Sequence, residues 1–290
     1  MKPCSMPKPT RQIRREQQAF ERRQAVYEKR YYRQVLSYII KTYKSIADKY
    51  EKGQRWNDID TLPLEKLLNK LYTTVTLEEA KIEYQKTVEP YLPKKKDIID
   101  DLVELFTRFT DRNVFQIWRE LLQQFISVRT TGRIVNITAT TERKITNIIS
   151  KGIENGEGAE VIARTIRREA GEVFNRNRAL SIARTEVVTS MNQGKYLSAK
   201  SSPYVMVKRW SPVYQPGRTR ASHLEFWDSE FIPLEQDFMV GIFDGGVRIG
   251  EEPALYPADL RLSARNTINC RCSLITQPAK RENGTLIRKA

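Results

Sequence analysis

Histidine occurs once in this chain, at His223, and cysteine three times, at Cys4, Cys270 and Cys272. That inventory excludes chemistry needing several imidazoles, and three cysteines do not make a secreted disulfide framework. Cysteines one residue apart bond to each other only with strain. No apolar run approaches the roughly 20 residues that span a bilayer, so stable membrane insertion is not expected. The start, MKPCSMPKPTRQIRR, has no apolar core behind its basic residues and predicts synthesis in the cytosol. Gly-rich phosphate loops, HExxH and a Ser-His-Asp arrangement in recognisable context are also missing.

What the chain does have is positive charge. It carries 50 Lys/Arg against 35 Asp/Glu, a formal +15 with a pI near 9.7. With 40% hydrophobic residues it can still bury a real core. The excess favours a polyanionic neighbour, although a Lys-rich proteome produces the same number without a ligand. Residues 1–50 hold thirteen Lys/Arg and four Asp/Glu, so much of the excess sits there. Arg11, Arg14, Arg15, Arg22, Arg23, Lys29, Arg30 and Arg33 are the candidate contacts to DNA or a protein partner, set against the alternative of a solvated helix face.

Periodicity organises the rest. Residues 1–10 are Pro-rich and expected to be disordered. From about Arg11 to Tyr50 the pattern is helical, and Tyr32, Leu36, Ile39, Tyr43, Ile46 and Tyr50 recur as a coiled-coil or bundle seam. Gly53 ends it. Asp60 or Thr61 can cap a helix through LEKLLNKLYTTV, and a further helix covers LEEAKIEYQKTV before Pro90 and Pro93. A long amphipathic segment follows from about residue 95, with a break expected near Asp111–Asn113. TTGRIVNITATTERK marks a composition shift, and its Thr-Thr-Glu signals a helix start. Helices then cover ERKITNIISKGIENG, AEVIARTIRREAGEV and the amphipathic stretch NRNRALSIARTEVVTSMNQGKYLSAKSS. Beyond Pro203, YVMVKRWSPV, FIPLEQDFMV, VRIG and NCRCSLI read as short strands. The expectation is an α+β chain: a helical domain with a basic arm at 11–130, a domain of helices followed by a small antiparallel sheet at 131–278, and a frayed basic tail at 279–290.

Strand residues two apart share a face, so a strand at NCRCSLI would point the thiols of Cys270 and Cys272 together. With His223 they supply three zinc ligands. A fourth would come from Asp228, Glu225, Asp259, water or another chain. The alternative is two small buried hydrophobes and a hydrogen-bonding histidine. In IARTEVV, Arg184 and Glu186 lie two apart on a helix and do not face each other, so they are expected to meet different neighbours in a buried polar network joining helix to sheet. The loop GRTRASH gathers Arg218, Arg220 and His223. It reads either as an anion site or as a loop tied to carboxylates of the sheet domain.

Taken in order, ITATTERKI, NRALSIARTEVVTSMNQGKY, VKRWSPV, GRTRASH, IPLEQDFMV, YPADL and NTINCRCSLI resemble the phage Mu F-like, or phage head morphogenesis, family from about Ile134 to Pro278. Each segment alone is weak; seven in order are specific. The positions that carry over are Arg184, Thr185, Glu186, Asn192, Gly194, Trp210, Arg218, Arg220, His223, Asn269, Cys270, Arg271 and Cys272. One departure is in HLEFWDSEFIPL, where Ser229 and Glu230 stand in a turn that usually carries Gly. The resemblance implies a minor head protein of a tailed-phage virion, made in the host cytoplasm and built into the phage head. Its implied partners are the portal protein, the major capsid protein and packaged DNA bound without sequence preference. No catalytic mechanism comes with the resemblance, so a structural rather than enzymatic role is expected. The rival reading is a metal-dependent nuclease or phosphate-directed enzyme working through Arg218, Arg220 and His223. A membrane-active ejection protein is a third reading, disfavoured by the narrow apolar stripe of the basic arm.

Overall fold

A computed structural model describes residues 11–92, 99–213 and 219–289, with the backbone alone at 99–113 and at 115. The readings made for residues 1–10, including Cys4, and for Arg218 lie outside the described residues.

Helix α1, Arg11–Glu51, buries Phe20, Gln24, Tyr27, Tyr31, Val35, Ile39, Tyr43 and Ile46 on one face. The seam therefore runs through Tyr31 and Val35, with Tyr32 and Leu36 only flanking it. Its main partners are two later helices of the same chain, at Ala159–Glu169 and Val173–Ser201, so it belongs to a helix bundle. Gly53, at φ +64°, ends the helix in a left-handed turn closed by Gln54 N–H to the Lys49 carbonyl at 2.8 Å. Helix α2, Leu62–Thr87, opens where the Asp60 carboxylate accepts the Leu62 N–H at 3.0 Å. Two helices were expected across this stretch. One forms, because TTVT between them contains no breaker and its Val75 and Thr76 are buried.

Helix α3, Ile99–Glu154, corrects the sequence reading most. It has no break near residue 111, no new start at 141, and the expected division at 130/131 falls inside it. β-branched residues lower helix propensity by only tenths of a kcal/mol each. Here Thr131, Thr140 and Thr141 return their hydroxyls to the carbonyls four residues back, at 2.8–3.2 Å. Ile137, Thr141, Ile145 and Ile149 meanwhile face the core. Burial of one face outweighs local preference.

Helices α4, Ala159–Glu169, and α5, Val173–Ser201, complete the bundle. α5 is not the amphipathic helix expected: every residue from Thr185 to Ala199 is buried. On one side it meets α1 and α2, on the other the strand layer. Ala183, Val187 and Met191 join the helical core, whereas Val188, Tyr196 and Ala199 join the core beneath the strands.

The strands form two antiparallel sheets, in agreement with the α+β expectation. β1, Met206–Ser211, lies between β2, Ile232–Pro233, and β5, Ser273–Pro278; β3, Phe238–Asp244, pairs with β4, Val247–Ala254. Two one-turn helices, α6 at Ala221–Leu224 and α7 at Ala264–Thr267, link them. The tail is not frayed. It turns back at Gly284 and lies along residues 203–205, with Val205 N–H to the Ile287 carbonyl and Ala279 N–H to the Val205 carbonyl, both at 2.8 Å.

Candidate functional site

The motif residues group around α5, on its two sides. On the helical side stands Glu186, fully buried. Its carboxylate accepts from Arg129 Nε at 2.9 Å and Tyr72 Oη at 2.8 Å, and pairs with Arg133 Nε at 2.6 Å. Burial alone would raise its pKa; the charges of Arg129 and Arg133 outweigh this and hold it below the usual carboxylate value. Arg184 points elsewhere, to Glu28 on α1 at 3.1 Å and to Asn269 Oδ1 at 3.3 Å. The two residues do meet different neighbours. Arg184 reaches the turn before β5, but Glu186 ties helix to helix rather than helix to sheet.

The side of α5 toward the strands is polar yet satisfied. Asn192 donates to the carbonyls of Pro257 and Cys272, each at 3.0 Å, and accepts the Leu274 N–H at 2.8 Å. Lys195, whose pKa burial lowers, donates to the Leu274 carbonyl at 2.8 Å and lies 3.9 Å from Glu83 on α2. Thr185 Oγ1 accepts the Asn269 N–H at 3.1 Å. Gly194 is a matter of clearance: a Cβ there would sit 2.4 Å from the Thr76 carbonyl oxygen of α2.

Beyond that layer, His223, Cys270 and Cys272 come together, all three buried. His223 Nδ1 is 3.3 Å from Cys272 Sγ and 3.8 Å from Cys270 Sγ. The cysteines are not in a strand. They follow Asn269, which turns the chain at φ +58°, and β5 begins only at Ser273. The thiols converge because the turn folds Cys272 N–H onto Cys270 Sγ at 3.4 Å. Alternation thus anticipated the right neighbours by the wrong geometry. Hydrogen bonding to the Cys272 sulfur, then burial, hold the Cys270 thiol well above its ordinary pKa. For Cys272, burial acts upward but is outweighed by Cys270 and the His223 imidazole, which draw it well below.

Trp210, fully buried on β1, packs edge-on against the His223 ring at 5.3 Å between centroids and stacks on Phe226 at 4.9 Å. Arg220 closes the rim through the Ile268 carbonyl. Arg220, Asn269 and Arg271 border a cavity of about 30 Å³ beside the cluster. None of the acids considered as a fourth ligand joins the cluster. Asp259 accepts the N–H groups of Leu255 and Arg261, Glu225 faces Arg248 at 3.9 Å, and Asp228 is exposed.

Of the eight basic residues singled out on α1, seven are exposed and Arg23 is not free, pairing with buried Glu79 at 2.6 Å. Sequence reasoning missed Arg129, Arg133, Tyr72, Lys195 and Asn266. The last joins Ser222 of α6 to Gly241 of β3 and Glu252 of β4. Arg129 and Arg133 had a signal, since a spacing of four places both on one helix face once the segment is read as helix.

Residues 143–275 match the family described as Phage Mu protein F like protein. The uncharacterized protein YqbB of Bacillus subtilis (strain 168) is similar, 24% identical over 194 residues, which is 66% of this chain. The chain spans 59% of the length of that relative. No solved structure matches. In the described residues, no helix is long and apolar enough to cross a membrane.

Proposed function

We propose, from the match of residues 143–275 to the phage Mu F-like family, that the protein is a minor head component of a tailed phage. In this reading it sits at the portal vertex and serves head assembly or the packaging and delivery of DNA. The observation that carries the reading is the family match over residues 143–275. Supporting it is the use the site makes of its polar groups. Glu186, the one deeply buried acid of the IARTE segment, is consumed by two arginines and a tyrosine. The cavity beside His223, at about 30 Å³, is far below the several hundred Å³ of an ordinary ligand pocket. A nuclease or phosphate-directed enzyme would need these groups free and open.

Attachment falls to the outer face of α1. Its apolar seam is spent inside the chain, which leaves Arg11, Arg14, Arg15, Arg22, Lys29, Arg30 and Arg33 outward. That face suits packaged DNA or an acidic surface of the portal or major capsid protein. DNA binding through it would be non-specific and would weaken steeply with salt, because each neutralised phosphate releases counterions.

The test is co-expression with the portal protein of the same phage, followed by co-purification and a salt series of DNA binding. Recovery with the portal protein, and affinity for duplex DNA that falls steeply as salt rises, are expected. Failure to associate with any head subunit, or metal-stimulated DNA cleavage abolished by His223→Ala in a folded variant, would overturn the reading.

A further inference from the structure

We propose that His223, Cys270 and Cys272 bind one zinc ion, through Nδ1 and the two Sγ atoms, and that the ion pins α6 to the turn before β5. The proposal stands apart from any role in a phage head and holds or fails by itself.

Geometry is the first support. With Zn–S bonds of about 2.3 Å and Zn–N of about 2.0–2.1 Å, a tetrahedral site separates S from N by about 3.6 Å. The two S···N distances here, 3.3 and 3.8 Å, bracket that edge, and all three ligand atoms lie within 4.8 Å of one another. The two S···N edges would need to change by only a few tenths of an ångström.

Valence is the second. His223 Nδ1 faces both sulfurs at once. A metal uses one lone pair from each of the three groups. On binding, the protons these groups hold leave to solvent and two thiolates balance the 2+ charge, so the buried site becomes neutral. Such a soft, two-thiolate, one-imidazole set suits zinc and disfavours calcium or magnesium, which take oxygen ligands.

Surroundings are the third. Cys272 N–H donates to Cys270 Sγ at 3.4 Å, an interaction that strengthens when the sulfur is a metal-bound thiolate. The cavity of about 30 Å³ has room for about one water as fourth ligand, next to Arg220 and Asn269. Three ligands from segments 47 residues apart would be joined at the edge of a small strand layer, where α6 is a single turn.

The test uses the full chain, expressed with zinc in the medium and purified without chelator. We expect about one zinc per chain by elemental analysis, kept through dialysis. Replacement with Co(II) should give the visible absorption of a tetrahedral cobalt–thiolate site. Metal content should fall to background in His223→Ala, Cys270→Ser and Cys272→Ser, and chelation of the wild type should lower Tm by more than about 5 °C. Should the variants not fold, the wild type decides alone: alkylation of Cys270 and Cys272 in the native protein should slow at least about tenfold with zinc bound. The proposal is overturned if folded, zinc-loaded protein retains less than about a tenth of an ion per chain. It is overturned equally if the two thiols react at the same rate with and without zinc, or if mass spectrometry finds them joined as a disulfide.

Discussion

The two sides of α5 are joined to the rest of the molecule by different chemistry. Toward the helices the join is ionic and centred on one residue: Glu186 holds Arg129, Arg133 and Tyr72 from two other helices. Toward the strands it is mostly a row of neutral hydrogen bonds, from Asn192 and Thr185 to backbone, with charged groups entering singly: Lys195 on the Leu274 carbonyl, Arg184 on the Asn269 side chain and Tyr196 on Glu235. A buried charge cluster fails when any member is removed, whereas a row of neutral bonds fails piecemeal. The helical join should therefore be the more brittle. The contrast also bears on function. α1 and α2 are locked onto the same helix that carries the IARTE motif, so the basic face is presented by a rigid body and not by a loose arm.

The largest effect should follow from Glu186→Leu, which leaves the buried Arg129 and the half-buried Arg133 without their counter-charge. A loss of about 3–5 kcal/mol is expected, read as a shift in urea midpoint. The same carboxylate has a pH signature. Its folded pKa lies below the unfolded value, so its stabilisation is present above the unfolded pKa and is lost as pH falls through the folded one. Glu186→Gln should flatten the acid limb of the stability curve; an unchanged limb would remove Glu186 from its central place. On the strand side, Asn192→Leu orphans two carbonyls and one N–H and should lose about 2–4 kcal/mol. If it loses more than Glu186→Leu, the ranking of the two sides is reversed. Gly194→Ala forces a methyl group against the α2 backbone and should lose about 1–3 kcal/mol, with α2 displaced in the variant. The smallest stability change, within about 0.5 kcal/mol, is expected from Glu at Arg14, Arg15, Arg22 and Arg30, all exposed. The same set should flatten the salt dependence of DNA binding, which separates surface charge from fold.

Much of this architecture was legible. The Tyr/Ile periodicity placed α1, the stops at Gly53 and Gly156 stand where expected, and alternation around Trp210 placed β1. What could not be read was competition between local and tertiary preference. The Thr- and Ile-rich stretch at 130–141 looks like a chain break until its hydroxyls are seen bonded back into α3 and its Ile residues buried. α5 looked amphipathic because Thr, Ser, Asn and Lys score as solvent-facing. In the fold they lie between two layers and find partners inside. At the cluster, one histidine and a Cys-x-Cys pair were enough to name the three residues, because so few of their kind exist in the chain. The turn at Asn269 that unites them left no trace, since a left-handed Asn reads like any other Asn. Arg220 was singled out, but its contact with the Ile268 carbonyl joins positions 48 residues apart in sequence.

Hydrogen exchange of backbone amides in the native protein tests the central claim most directly, comparing α1 and α2 with α5 and β5. If α5 is the shared spine of one body, the central amides of α1, α2 and α5 should open together, with protection approaching the global unfolding free energy. Exchange of α1 and α2 at the rate of a loosely attached segment, while α5 and β5 stay protected, would contradict it.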